Sequence, residues 1–377
     1  MGKEQKVTRT DLHSNKSVFV GIELSNKKWK LVFSNLAKER EVNMPARNRA
    51  ALRLQIERAK EKLGAAADAT VYSCYEAGRD GFWIHRMLEA EGVENIVVDP
   101  ASIEVSRHGR RRKTDRLDAK KLVRCLIRHV VHQEKKVWHV VRVPEDKAED
   151  ERRLHRERKR LLKERNAHTA RMKSLLVLQG IAASKPQSVE LEGLRDWRNK
   201  PLAEHLLREL KREQERWQMI NEQIKQIEAE QQDRIKAPRT LADEQSAKLM
   251  KLKSVGIQTA WMMSKEVFGW RKIMNRRQLG ALAGLTGTPH DSGNSQREQG
   301  ISKAGNRMVR TGSVELAWLW LRHQPDSELS RWFWRRFGNG NKRMRRIGIV
   351  ALARKLLVAL WKYLEFDEVP EGAIVAG

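Results

Sequence analysis

The chain has 377 residues, 76 of them Lys or Arg and 48 Asp or Glu, for a net charge of +28. An excess of that size calls for a polyanionic partner, nucleic acid or an acidic membrane surface, while 40% apolar residues suffice for two or three units with their own cores. No run approaches the roughly 18 uninterrupted apolar residues of a membrane span, and the start MGKEQKVTRTDLHSNK has no apolar signal core. Cys74 and Cys125, with no CxxC or Cys/His cluster, exclude a disulfide framework and a thiolate zinc site. A cytoplasmic, nucleoid-associated protein without a membrane partner is expected.

Residues 1–16 read as a disordered basic tail. Val18 to Glu23 and Trp29 to Phe33 are strand-like runs around the turn Ser25-Asn26-Lys27, a hairpin composition. Ala46 to Leu63 reads as a helix, Val71 to Tyr75 as a strand ending at Glu76, and Gly81 to Glu91 as a second helix. Asn95 to Val98 is a further strand, closed by Asp99-Pro100, and a helix runs from near Thr114 to about Val131. Strands alternating with helices predict an α/β sheet domain over 17–143.

From 144 to 240 the strand signal is gone. Glu145 to Leu178 is highly charged. Leu202 to Gln231 sets Leu206, Leu210, Trp217, Ile220, Ile224 and Ile227 at alternating four- and three-residue steps, with Glu213 in the missing seat. That seam fits either a self-associating coiled coil or one long helix packed within its own chain. After Ala237-Pro238-Arg239 a third, mainly helical region, 241–377, is punctuated by glycines.

Four acids stand where a sheet can gather them. Glu23 ends the first strand, Glu76 ends the strand 71–75, and Asp115 and Asp118 share a face of a helix's first turn. Carboxylates converging in this way repel unless cations sit among them, and hard oxygen ligands select Mg²⁺ or Mn²⁺. Such ions support phosphodiester displacement. The plainer reading of Asp115 and Asp118 is a favourable interaction with the helix dipole.

Positive charge is concentrated in tracts. Arg107 to Arg124 holds nine Lys or Arg, including Arg110, Arg111, Arg112 and Lys113, against two acids, Asp115 and Asp118. Arg331 to Lys355 holds nine more and no acid, among them Arg335, Arg336, Lys342 and Arg343, interleaved with Trp332, Phe333, Trp334 and Phe337. This suits phosphate contacts and stacking on unpaired bases; the alternative is an amphipathic helix whose aromatics fill the core. The tract 147–173 reads as a solvated helix face. Ser254-Val255-Gly256-Ile257 joins two helices, either as a plain turn or with amides free for a phosphate.

The strings GIELS, YEAGRDG and VVDPASIEVSRHGRRRKTDRLDAKKL, followed by LGALAGL, TPHDSGN and GISKAGNR, resemble insertion-sequence family one-hundred-and-ten transposases, a group that includes Piv-type DNA invertases. The resemblance covers roughly 17–135 and 245–325. It implies an RNase H/RuvC-like α/β domain of DEDD type, then a helical coiled-coil region and a mainly helical transposase domain. It further implies a metal-binding tetrad of Glu23, Glu76, Asp115 and Asp118, with Glu23 in place of the family's usual Asp, and Ser292 as nucleophile with Lys303, Arg307 and Arg310 nearby. Donor and target DNA, a structured noncoding guide RNA, and a dimer or tetramer whose assembly completes the site are the partners it implies. A RuvC-type Holliday-junction nuclease and a non-catalytic nucleic-acid-binding protein are the alternatives.

Overall fold

The computed structural model describes residues 15–103, 115–134, 136–292 and 295–375, with backbone alone for 290–292 and 295–299. The chain divides into two compact units, Met1–Val143 and Pro144–Gly377. Residues 1–14 of the expected tail lie outside the described residues. Among the described residues no helix is long and apolar enough to cross a membrane.

In the first unit the expected hairpin forms from β1 (Ser17–Glu23) and β2 (Lys28–Ser34). A strand that the sequence reading passes over, β3 (Glu39–Pro45), adds antiparallel to β2 at the sheet edge. Its residues EREVNMP are mostly polar and only partly covered, which an edge strand tolerates, so no apolar run announces it. The helix expected from Ala46 accordingly begins later, as α1 (Arg49–Leu63), where the Asn48 side chain accepts the Ala51 amide at 2.9 Å. Parallel strands β4 (Thr70–Glu76) and β5 (Glu94–Val98) flank α2 (Trp83–Ala90), giving the order β3-β2-β1-β4-β5.

Strand alternation sorts the core into two layers. Val18, Val20 and Ile22 pack with Leu52 and Ile56 of α1 and Ile84 and Leu88 of α2. Phe19 and Cys74, on the opposite face, pack with Ala119, Leu122 and Leu126 of α3 (Asp115–Val130). Gly21 sets how closely α3 approaches, since a Cβ there would lie 2.5 Å from the Ala119 carbonyl oxygen. Burial pushes the Cys74 thiol well up, away from thiolate chemistry.

The second unit begins with α4 (Asp146–Asp150) and α5 (Arg153–Val177), and continues through α6 (Glu204–Lys236). Contacts between α5 and α6 run in opposite order: Arg158 bonds Glu228, Arg165 bonds Asn221 and His168 bonds Glu213, so the helices are antiparallel. The heptad seam is therefore covered from within the chain, with Ile220, Ile224 and Ile227 against Leu161, and Leu210 against Met172 and Leu176. Glu213 keeps its charge in that seam. Burial raises its carboxyl pKa, but hydrogen bonds from His168 at 2.6 Å and Arg171 at 2.8 Å outweigh burial and hold it below the usual range.

Next come α7 (Leu241–Met250), α8 (Ile257–Met263) and a π-helical turn at Ser264–Phe268, then α9 (Arg276–Ala283). Gly256 is the N-cap of α8, and no side chain caps the first amides of that helix, so the arrangement is compatible with either reading. A region expected to be mainly helical then contains a β-hairpin, β6 (Gly287–Ser292) with β7 (Ser295–Ile301). Its TPHDS and SQREQ segments carry no apolar alternation, the usual sign of a strand. Helices α10 (Arg307–His323), α11 (Glu328–Phe337) and α12 (Lys342–Phe366) complete the unit around Trp320, Phe333, Leu352 and Leu356.

Candidate functional site

The parallel register pairs Ile22 with Tyr75, so Glu23 and Glu76 follow side by side at the carboxyl ends of β1 and β4. Both alternate onto the face that α3 covers. They line one cavity of about 290 Å³ together with Gly78 and Asp80, the latter paired with Arg47 at 3.2 Å. The direction of α3 follows from its ion pairs with the edge strand. Arg116 meets Glu41 at 2.8 Å, whereas Lys120, one turn on, meets Glu41 at 2.8 Å and reaches on to Glu39 at 3.0 Å. Glu41 and Glu39 stand level with Val32 and Ser34, hence with Gly21 and Phe19. Helix α3 thus runs against β1, and Asp115 and Asp118 begin it at the end of the sheet where Glu23 and Glu76 stand.

Carboxylate oxygens are the donors that Mg²⁺ or Mn²⁺ takes, so the chemistry of the set fits a hard divalent ion. The four do not close on one point in this arrangement: among the described residues no three acidic, His or Cys side chains stand close enough to hold a metal ion. Arg110, Arg111, Arg112 and Lys113 lie outside the described residues.

Ser292 is the last residue of β6 and pairs in register with Ser295. The turn residues Gly293 and Asn294 lie outside the described residues. The base of this hairpin is held tightly. The Ser302 amide donates to the Thr286 carbonyl at 2.8 Å, and the Asn306 amide to the Leu282 carbonyl at 2.7 Å. Gly284 and Gly305, at φ 64° and 123°, explain the glycines of LGALAGL and GISKAGNR: a Cβ on either would lie 2.4 Å from a backbone oxygen. Arg310 supports the same base, donating to the carbonyls of Ala283 at 3.1 Å and Lys303 at 3.0 Å. Lys303 and Arg307 are exposed beside it.

Behind the hairpin lies a network that sequence reading missed. The π-helical turn puts consecutive charged residues, Lys265 and Glu266, into the interior with separate partners. Glu266 accepts from Arg156 at 2.7 Å and from the Asn306 side chain at 3.0 Å, and lies 2.8 Å from His155. Burial pushes its pKa up, yet the His155 and Arg156 hydrogen bonds prevail and bring it down to about 2. Asn306 in turn caps α10. Nothing in the local sequence marks these two residues, because their partners lie up to 114 positions away.

Of the expected nucleic-acid contacts in the last tract, Arg335 is paired with Glu328 at 2.5 Å, while Arg336, Lys342 and Arg343 are exposed. Both readings of the aromatics hold in part: Phe333 and Phe337 are core residues, and Trp334 is 47% exposed.

Residues 246–330 match the family described as Transposase IS116/IS110/IS902 family. The Sinorhizobium fredii protein named "Putative transposase y4rJ" is 41% identical over 376 residues, 95% of this chain and 94% of that one. The transposase for insertion sequence element IS1328 of Yersinia enterocolitica is 27% identical over 55% of this chain and 60% of its own. That for IS1111A of Coxiella burnetii is 32% identical over 34% of this chain and 35% of its own.

Proposed function

We propose, for a chain that belongs to the IS116/IS110/IS902 family of transposases, that DNA strands are cut and exchanged through a serine nucleophile. The observation that carries this reading is the position of Ser292. It ends a strand whose base is fixed by Gly284, Gly305, Asn306 and Arg310, all inside the region that matches the family. The hydroxyl oxygen attacks a DNA phosphorus, the Oγ–P bond forms, the bond to one ester oxygen breaks, and the hydroxyl proton is taken up as the strand end leaves. Exposed Lys303 and Arg307 are suited to neutralise the phosphate.

The acids of the first unit take a second part in this proposal. Glu23, Glu76, Asp115 and Asp118 would hold Mg²⁺ or Mn²⁺, which supplies charge neutralisation at a displaced phosphate oxygen. Support comes from the mixed sheet, which sets Glu23 beside Glu76, and from the antiparallel run of α3, which starts at the same end. A RuvC-like ancestry for the sheet and guidance by a structured noncoding RNA, in a dimeric or tetrameric assembly, belong to the same proposal and rest on the motif resemblance.

The deciding experiment is denaturing electrophoresis of labelled DNA after reaction. A serine ester leaves a covalent protein–DNA adduct that survives denaturant, and Ser292→Ala abolishes it while Ser302→Ala retains it. Cleavage by Ser292→Ala without any adduct would overturn the serine chemistry and favour a water-attacking nuclease.

A further inference from the structure

The second unit has a groove of about 940 Å³ between the foot of the hairpin and α12. Its floor is apolar, formed by Leu285, Ile301, Leu329, Ile347 and Val350. Its cations come from two helices, Arg276 and Arg277 opening α9, and Arg343, Arg346, Arg354, Lys355 and Lys362 along α12. Together with Ile347, Val350, Ala351, Val358 and Ala359, these α12 residues fall at three- and four-residue spacings, so one face of that helix carries charge and aliphatic surface together. No carboxylate lines the groove. Lys362 is paired with Glu368, but among the described residues no carboxylate meets Arg276, Arg277, Arg343, Arg346, Arg354 or Lys355.

We infer that this groove holds an unpaired stretch of polynucleotide, with phosphates on the arginines and base faces on the apolar floor. The inference deepens the reading above, since it rests on a protein that acts on nucleic acid. Two features select this occupant. Six cations that meet no carboxylate among the described residues call for an anion with repeated charge, which an ordinary protein surface does not supply. A recessed apolar floor has nothing to gain from a duplex, whose base faces are already stacked on each other, whereas unpaired bases expose them. Lys355, with its ammonium 4.6 Å above the Trp332 ring, keeps a cation and an aromatic surface together at one wall.

The test uses the full chain and fluorescent oligonucleotides of about 20 units: single-stranded DNA, RNA of the same sequence, and the DNA duplex. Arg343→Ala/Arg346→Ala is expected to weaken single-strand binding by about 10-fold or more, and to make the slope of log affinity against log salt shallower by about 0.7 for each phosphate no longer neutralised. Ile347→Glu changes a residue that is 50% exposed, so folding persists, and it should weaken single-strand binding by about 10-fold through the floor. Duplex affinity should move less than about 3-fold in both variants. The stronger of the DNA and RNA arms identifies which strand occupies the groove. Equal losses on duplex and single strand would overturn the inference, as would no loss on either. It would also be overturned if Ile347→Glu abolished self-association while leaving oligonucleotide binding intact, for then a second copy fills the groove. Failure here is separable from failure of the serine chemistry: an adduct at Ser292 with unaltered binding in the groove variants sinks only the groove, and the reverse pattern sinks only the nucleophile.

Discussion

Two regions of the second unit are rich in charge and use it in opposite ways. Around the π-helical turn, Lys265 is fully enclosed, its ammonium bonded to Glu151 and, at 2.5 Å, to Asp243, with Arg234 closing the cluster on both acids at 2.6 and 3.0 Å. Burial alone would raise the Asp243 carboxyl, and the Lys265 hydrogen bond overrides it to hold the group below its ordinary range. Every formal charge there has an opposite neighbour. In the groove, six cations have none among the described residues. The difference teaches where the net charge of +28 is available: paired charge fixes the fold, and unpaired charge waits for a partner from outside.

The comparison can be broken hardest at its paired end. Replacing Lys265→Met leaves the buried Asp243 and the partly buried Glu151 with Arg234 as their one remaining cation among the described residues, and losing one partner of a buried pair costs about 3–5 kcal/mol. Urea titration should show that loss in the unfolding midpoint. The double variant Lys265→Met/Asp243→Asn restores charge balance between Arg234 and Glu151 and should recover much of it. Equal losses in both variants would mean that packing around Trp261, not charge pairing, sets the stability.

Glu266 gives a smaller effect that depends on pH. Its pKa falls from 4.5 to about 2 on folding. A carboxyl depressed in the folded state contributes stability that is fully present above its unfolded pKa and is lost as pH falls toward the folded value. At neutral pH a shift of this size corresponds to about 3 kcal/mol. Wild type should therefore lose stability relative to Glu266→Gln as pH drops from about 5 to about 3, and a constant difference between the two across that range would remove the carboxylate from the account.

How much of this was legible in the sequence depends on how local the signal is. Strands β1, β2, β4 and β5 announce themselves by apolar runs, and Glu23, Glu76, Asp115 and Asp118 could be named from strand and helix boundaries, but that they stand at one sheet end depends on the β1–β4 pairing and on the direction of α3, which its ion pairs with β3 show. Gly256 and the seam of α6 could be located, but whether α5 or a second chain covers that seam is decided by residues some 50 positions apart, such as Trp217 bonding Thr169. Edge strand β3 stays hidden because Val42 and Met44 alone turn to the core amid polar and charged neighbours, and the hairpin bearing Ser292 because its sequence has no apolar alternation. Lys265 and Glu266 look like any exposed pair until the wider π turn carries both inward. In the groove, Arg343 was identifiable from its tract, but Arg276 and Arg277 are distant in sequence from α12 and join it only through folding.

The smallest expected effect lies at the unpaired end and is the most discriminating. If the groove arginines have no structural task, removing them should cost the fold almost nothing, within about 0.5 kcal/mol as for ordinary surface positions. Arg343 and Arg346 are exposed on the first turns of α12, clear of the core residues Ile349, Leu352 and Leu356 on its other side. Removing them also relieves repulsion among neighbouring cations, which offsets the packing that their aliphatic stems provide. Arg343→Ala/Arg346→Ala should therefore match wild type in thermal midpoint at low salt, or exceed it slightly. That advantage should shrink as salt screens the repulsion. A drop of several degrees instead would place these arginines with Lys265 among charges the fold depends on, and the distinction between the two regions would collapse.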